Sequence, residues 1–157
     1  MKINRKSLIP NVAIPVAVGI AAGMITRGSM KDYEYTILKP ALSPPGWIFP
    51  VVWTILYILM GLSAYLVFSD AGKRRRRAKS LYIVQLAVNF VWPIVFFTVQ
   101  DFGFALILLT ILWVLVLIMS IVFGTIRKPA GLLQIPYIAW LTFAWYLNYG
   151  VSTLNGG

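Results

Sequence analysis

Five long apolar stretches, separated by shorter polar segments, dominate the pattern of this 157-residue chain. Each stretch contains about 20 residues, which is the length that an α-helix needs to cross the hydrocarbon core of a bilayer. The pattern therefore predicts an all-α integral membrane protein, with residues 1–157 forming one domain that is a bundle of five transmembrane helices. The expected spans are residues 8–26, 47–69, 80–99, 102–125 and 130–151.

The basic residues divide unevenly between the two ends of this predicted bundle. Most of the 14 Lys and Arg residues fall in the N-terminal head, in residues 70–79 and in residues 127–128, which five spans place on one side. Basic residues favour the cytoplasmic side of a membrane. We therefore expect a bacterial cell membrane protein with its N-terminus in the cytoplasm and its C-terminus outside. Residues 70–79 are expected to form a basic hairpin beside anionic headgroups.

Composition narrows the chemistry that the chain can perform. Charged residues make up 11% of it, against about 25% in average soluble domains. The net charge of +10 does not indicate nucleic-acid binding, because the basic residues flank the apolar stretches. The chain has no His and no Cys, so the commonest metal ligand, general base and thiolate nucleophile are missing. No charged residue lies well inside a span, which argues against an ion-coupled carrier.

Residues 27–46 form the longest predicted connection. A loop of about 20 residues is unusual in a compact bundle, and loops of that length are often functional. It ends in Pro44-Pro45-Gly46, where two fixed φ angles make a stiff approach to the second span. We expect this loop to act as a lid over a ligand site in the outer half of the bundle.

Aromatic and neutral polar residues recur at helical spacing on three spans, which predicts three inward faces. These faces are Trp53, Tyr57 and Met60; Gln85, Asn89, Trp92 and Phe96; and Trp140, Ala144, Leu147 and Val151. At 1.5 Å per residue, Trp53, Asn89 and Trp140 lie about 10, 15 and 17 Å below the outer end. They can therefore meet and line a pocket for a flat apolar ligand. The alternative is core packing, with Asn89 bonded to a neighbouring helix.

The first span carries Gly19 and Gly23 at GxxxG spacing. Glycines four residues apart share a helix face and allow another helix to approach closely. This spacing fits either tight packing inside the bundle or a seam between two copies of the chain.

A series of short motifs follows in a fixed order through most of the chain. They are Lys39-Pro40, Pro44-Pro45-Gly46-Trp47, Val52-Trp53-Thr54, Leu56-Tyr57, Met60-Gly61, Ala64-Tyr65-Leu66-Val67, Gln85-Leu86, Asn89, Trp92-Pro93, Phe96-Phe97, Pro136-Tyr137, Ala139-Trp140-Leu141, Phe143-Ala144 and Leu147-Asn148-Tyr149. In this order they resemble the translocator protein family, also known as the tryptophan-rich sensory protein or peripheral benzodiazepine receptor family. The resemblance implies a five-helix bundle that usually forms a homodimer.

The resemblance also implies a membrane sensory or regulatory protein that binds protoporphyrin IX, sterols and synthetic isoquinolines or benzodiazepines. Porphyrin is then a ligand, and no obligatory cofactor or metal is implied. Two alternatives remain: a porphyrin-degrading enzyme that needs light and oxygen and uses Trp53 and Trp140 as catalytic residues, or a passive porphyrin or sterol transporter. The family positions that line the ligand pocket correspond to Pro44, Trp53, Asn89, Trp92, Trp140, Ala144 and Leu147.

Three positions depart from the family pattern. Leu42 stands where the loop usually has Trp, and Glu34 falls where relatives have a ligand-contacting Tyr. No basic residue follows Leu147 and Tyr149, so the cholesterol motif of animal members is incomplete. Sterol binding at the C-terminus is therefore not expected.

The missing His and Cys favour a metal-free porphyrin, because haem would find neither of these common axial ligands. The propionates of a porphyrin would need cations. Arg27, Lys31 and Lys39 lie on the side where the predicted pocket opens, and their charges either bind these propionates or are simply solvated.

Overall fold

The computed structural model describes residues 4–69 and 73–156. Within these ranges the chain is helical and contains no strand. Five helical stretches are long and apolar enough to cross a membrane, which confirms the predicted all-α class with five membrane-spanning helices. The elements are α1 (Arg5–Thr36), α2 (Ile48–Phe68), α3 (Lys73–Pro93) with a π-helical continuation (Ile94–Val99), α4 (Phe102–Ile126), α5 (Lys128–Leu132) and α6 (Ile135–Leu154).

The helices pack in a closed ring. Helix α1 contacts α2 and α3, α4 contacts α3 and α6, and the short α5 fits between α2 and α4. Long side chains bridge α3 and α6 across the centre of the ring, where the Trp92 indole N–H donates to the Asn148 side-chain oxygen at 3.1 Å. The end of the bundle that carries residues 74–79 and 127–128 is termed the basic end, and the end that carries residues 37–47 is termed the loop end.

Helix α1 ends ten residues later than predicted. The sequence pattern indicated a loop at residues 27–46, whereas α1 continues to Thr36 and leaves residues 37–47 as the connection to α2. The Tyr33 ring packs against Phe96 and Phe97, with centroids 5.5 and 5.2 Å apart. This tertiary packing stabilises the helix, although the segment is polar and contains glycine, a composition that favours a loop. With 32 residues, α1 is about 48 Å long and exceeds the hydrocarbon core of about 30 Å.

The basic segment before the third span is helical rather than a hairpin. Helix α3 begins at Lys73, so residues 74–79 form its first turns, although the predicted span began only at residue 80. Residues 70–72 of the predicted hairpin lie outside the described residues. Arg and Lys are good helix formers, and the fully buried Ala78 attaches this basic turn to the bundle.

Two prolines explain irregularities in the later helices. At Pro93, α3 becomes π-helical, because proline lacks an N–H donor and its ring crowds the carbonyl of Asn89 four residues earlier. Such π segments are frequent at functional sites. The predicted fifth span, residues 130–151, is divided into α5 and α6, with Pro136 in the first turn of α6, where its missing N–H costs little.

Candidate functional site

A cavity of about 310 Å³, termed the lower cavity, lies between α1, α2 and α3. Three of the predicted binding residues, Trp53, Asn89 and Trp92, line it. This volume is at the lower end of the range of about 300–1,000 Å³ for small-molecule sites. The other lining residues are Val16, Gly19, Ile20, Ala22, Gly23, Thr26, Met30, Phe49, Pro50, Thr54, Tyr57, Pro93 and Phe97.

Aromatic rings form one wall of the lower cavity. The Trp53 ring centroid lies 5.7 Å from that of Tyr57 and 6.2 Å from that of Trp92. On its other side Trp53 meets the edge of Tyr137 at 6.1 Å. Trp92 in turn stacks on Phe96 at 5.5 Å. These separations are typical of favourable aromatic pairs, so the rings hold one another in place and present flat surfaces.

A chain of buried side-chain hydrogen bonds, termed the polar column, leads away from the lower cavity. The Tyr57 hydroxyl donates to the Asn89 side-chain oxygen at 2.6 Å, and the Asn89 amide donates to the Tyr137 hydroxyl at 2.6 Å. Tyr137 donates to Gln85 at 3.0 Å, and Gln85 donates to the Met60 sulfur at 3.8 Å. Asn89 thus bonds two neighbouring helices and also borders the cavity, and its role in ligand binding stays a prediction.

The two glycines of the GxxxG motif both face the lower cavity. A Cβ atom on Gly19 would collide with the Tyr57 ring, so Gly19 makes room for that ring against α1. A Cβ atom on Gly23 would meet no atom within 4 Å. Gly19 therefore shapes the interior of the bundle, whereas Gly23 is exposed. A seam between two copies stays a prediction, as does the homodimer.

A second cavity of about 410 Å³, termed the upper cavity, lies beneath the connection of residues 37–47. It contains Pro44 of the predicted set and two of the three predicted cations, Lys31 and Lys39. The third cation, Arg27, lines neither cavity. The remaining lining residues are Met30, Tyr33, Glu34, Ser43, Pro45, Gly46, Trp47 and Phe49.

The charged side chains that line the upper cavity differ in the contacts that hold them. The Lys39 ammonium donates to the main-chain oxygen of Glu34 at 2.6 Å and lies 5.2 Å from the Tyr33 ring centroid, a cation–π distance. Lys31 is exposed. The Glu34 carboxylate lies against Gly46, where an added Cβ would be 3.4 Å from one of its oxygens. Lys39 is therefore held in place, Lys31 extends into the surroundings, and the Glu34 carboxylate lies between α1 and the connection.

The connection over the upper cavity is attached to α6. The Asn155 side chain accepts from the Leu38 main-chain N–H at 3.1 Å and donates to the Leu38 carbonyl at 2.9 Å. Nearby, Pro40 packs on Gly150, where an added Cβ would lie 2.7 Å from the proline ring. Leu42, which replaces the usual loop Trp, is 68% exposed and does not line either cavity. The connection is thus fixed near its start and covers the upper cavity further along.

The three predicted site residues of α6 lie outside both cavities. Trp140 is half-buried and packs edge-on against Phe49, with ring centroids 6.0 Å apart, and against Phe143 at 5.6 Å. Its indole N–H is buried and has no hydrogen-bond partner within the described ranges. Trp140, Ala144 and Leu147 line neither cavity, so their roles in binding stay predictions.

Pattern analysis did not identify some residues that shape the site. Phe49 and Met30 line both cavities, and Tyr137 connects Asn89 to Gln85. Phe49 is four residues before Trp53, and this helical spacing is the signal that could have revealed it. No comparable signal marks Met30, because it lies in the part of α1 that was predicted to be a loop.

Comparison with known proteins agrees with the resemblance seen in the motifs. Residues 11–154 match the model of the TspO/MBR family. The chain is 35% identical over 146 residues to "Tryptophan-rich protein TspO" of Chlorobaculum tepidum, covering 92% of both chains. It is 32% identical over 152 residues to the protein of the same name from Archaeoglobus fulgidus, covering 97% of this chain and 99% of the relative. It is 38% identical over 117 residues to "Tryptophan-rich sensory protein" of Cereibacter sphaeroides, covering 74% and 73%. This chain therefore belongs to the TspO/MBR family and is a multi-pass membrane protein.

Proposed function

We propose that this protein is a membrane sensory or regulatory protein that binds a tetrapyrrole such as protoporphyrin IX within its helix bundle. The observation that carries the proposal is the lower cavity, which is lined by the indole rings of Trp53 and Trp92 and by the buried amide of Asn89. Flat aromatic surfaces with a few oriented polar groups suit a flat apolar ligand. The name of one relative, tryptophan-rich sensory protein, supports the sensory part of the proposal.

The upper cavity supports a ligand that also carries acidic groups. Lys31 and Lys39 line it and are the cations that the propionates of a porphyrin would contact. Both lie beyond the aromatic wall in the direction of the loop end, so the apolar macrocycle and its acidic side chains would meet different surroundings. Lys39 would donate to a carboxylate with the N–H groups that Glu34 leaves unused.

Aromatic contact, rather than axial ligation of a metal, would supply the affinity. The sequence contains neither His nor Cys, the residues that most often ligate haem iron in proteins together with Met and Tyr. Tyr57, the tyrosine among the described residues that line the lower cavity, already donates its hydroxyl hydrogen to Asn89. The proposed ligand is therefore the metal-free macrocycle.

Titration of the purified protein with protoporphyrin IX tests the proposal. We expect quenching of tryptophan fluorescence and a shift of the porphyrin absorbance band on binding. The double variant Trp53→Phe/Trp140→Phe should bind at least about tenfold more weakly, which corresponds to about 1.4 kcal/mol of lost ring contact. Unchanged affinity in this variant would contradict the proposed site.

A matched control uses two tryptophans outside both cavities. The indole N–H groups of Trp113 and Trp145 donate to Thr142 and Thr110 on the exposed side of the α4–α6 contact. The variant Trp113→Phe/Trp145→Phe should keep the wild-type affinity. A similar loss in both double variants would indicate a general change of the bundle instead of a site at Trp53.

Porphyrin breakdown driven by light and oxygen is a second candidate, favoured by one observation. The Trp53 ring lines the lower cavity and contacts Trp92, Tyr57 and Tyr137, so an oxidised Trp53 would have aromatic neighbours from which to recover an electron. Illumination in air should then convert bound porphyrin to a new absorbing product faster than detergent alone does. Equal rates with and without protein would rule out this activity.

A further inference from the structure

Two side chains separate the lower cavity from the upper cavity. Phe49 at the start of α2 and Met30 on α1 are the residues that line both. Each therefore has one surface toward the apolar space around Trp53 and another toward the space that contains Lys31 and Lys39. Phe49 is only 8% exposed even though it borders two cavities, because its ring is enclosed by the helices around it.

Phe49 also covers Trp140. The two rings meet edge to face, with centroids 6.0 Å apart and an interplanar angle of 72°. Phe49 lines both cavities while Trp140 lines neither, so the phenyl ring lies between the indole and the cavity space. The buried Trp140 N–H has no acceptor within the described ranges. A buried donor without an acceptor is costly, and an acceptor on a ligand would remove that cost.

The volumes of the two cavities bear on what each can hold alone. The lower cavity, of about 310 Å³, lies at the lower end of the range for small-molecule sites. A tetrapyrrole with two propionates is much larger than a compound of one or two fused rings. The larger ligand would therefore use the space on both sides of Phe49 and Met30, provided that these side chains move apart.

Both side chains can move without disturbing a helix. Phe49 is the second residue of α2 and directly follows the connection of residues 37–47, so its ring can change rotamer next to a helix end. Met30 is unbranched and adapts easily to a changed neighbourhood. In contrast, Phe143, which also contacts Trp140, lies in the middle of α6 and lines neither cavity.

We propose that Phe49, together with Met30, is a movable partition that determines which ligands reach Trp140. A flat ligand of one or two fused rings occupies the lower cavity with Phe49 in place. A tetrapyrrole displaces the Phe49 ring, joins the two cavities and contacts Trp140, whose N–H then gains an acceptor. This inference rests on the proposed function and assigns to Phe49 a role in ligand size selection.

Fluorine NMR of the full chain labelled with 5-fluorotryptophan tests the partition. The chain has six tryptophans, and the Trp140 resonance is assigned by its loss in Trp140→Phe. Isoquinoline, a two-ring probe, should shift the resonances of Trp53 and Trp92 and leave that of Trp140 in place. Protoporphyrin IX should shift all three. In Phe49→Ala, and in the milder Phe49→Leu, isoquinoline should now shift Trp140 as well.

The matched control is Phe143→Ala, which removes the other phenyl ring that contacts Trp140. In this variant isoquinoline should still leave the Trp140 resonance in place. The partition would be overturned if isoquinoline shifted the Trp140 resonance of the wild-type protein. It would also be overturned if isoquinoline left the Trp140 resonance unshifted in both Phe49 variants. If protoporphyrin IX shifts no tryptophan resonance, the proposed function fails, while the isoquinoline comparison still decides the role of Phe49.

Discussion

Gly131 and Gly23 have opposite surroundings in the bundle. At the basic end, Gly131 lies directly on α4, where an added Cβ would be 2.8 Å from both Gly124 Cα and the Ser120 carbonyl oxygen. The Ser120 hydroxyl also donates to the Gly131 carbonyl at 3.0 Å. Gly23 lines the lower cavity, and an added Cβ there would meet nothing within 4 Å. Gly131 allows close packing at a closed position and Gly23 leaves an open one, so stability and binding depend on different glycines.

The largest effect is expected at the closed position. The substitution Gly131→Ala places a methyl group against backbone atoms that cannot move aside, and overpacking of this kind costs about 1–3 kcal/mol. The partner substitution Gly124→Ala gives an ordinary contact of 3.8 Å and gains helix propensity. Thermal unfolding followed by tryptophan fluorescence should therefore show a clear loss for Gly131→Ala only. Equal melting temperatures for the two variants would contradict the close packing of α4 and α5.

The next effect concerns binding at the open position. Gly23 lines the lower cavity and has room for an added Cβ. We expect a leucine there to occupy part of the cavity, so Gly23→Leu should weaken protoporphyrin IX binding by about tenfold or more, or about 1.4 kcal/mol. The melting temperature should not fall, because leucine is a better helix former than glycine. Gly28 offers a control on the same helix, since its added Cβ also meets nothing within 4 Å but it lines neither cavity. Equally weak binding in Gly28→Leu would contradict the prediction, because the loss of affinity would then not come from a smaller cavity.

The smallest effect is expected where the connection joins α6. Asn155→Ala removes two exposed hydrogen bonds to Leu38, which corresponds to about 1 kcal/mol for the attachment of this segment. It also removes a bond from the Asn155 amide to the Val151 carbonyl within α6. Limited proteolysis should cut residues 37–47 faster, and bound porphyrin should dissociate sooner, while the melting temperature hardly changes. Thr153→Ala provides the control, because the Thr153 hydroxyl bonds only within its own helix, to Gly150.

The sequence predicted the membrane-spanning helices well because lipid imposes a strict rule on them. A spanning helix must be apolar along its whole length, and its inward face repeats at helical spacing. The structure accordingly buries Met60, Gln85, Leu147 and Val151 as expected. Trp53 and Asn89, estimated to lie at similar depths, indeed border one cavity.

The parts that pattern analysis missed depend on contacts between distant helices. The end of α1 has the composition of a loop, but it is helical because Tyr33 packs against Phe96 and Phe97. The contribution of α1 to the lower cavity includes Gly19 and Gly23, and their GxxxG spacing could not show whether they face a cavity or another helix. Trp140 was predicted to line the pocket from its depth, its helix face and the family resemblance, and none of these can show that the Phe49 ring packs against it.

The polar column has a consequence for the side chains that line the lower cavity. From Tyr57 to Met60, every member donates to the next, so the bond dipoles point the same way and reinforce one another. A hydroxyl group that donates a hydrogen bond in such a series becomes a better hydrogen-bond acceptor. Tyr57 and Asn89, at one end of the series, also line the lower cavity. Because each bond fixes the orientation of the next side chain, we expect these two residues to keep one arrangement whichever ligand enters.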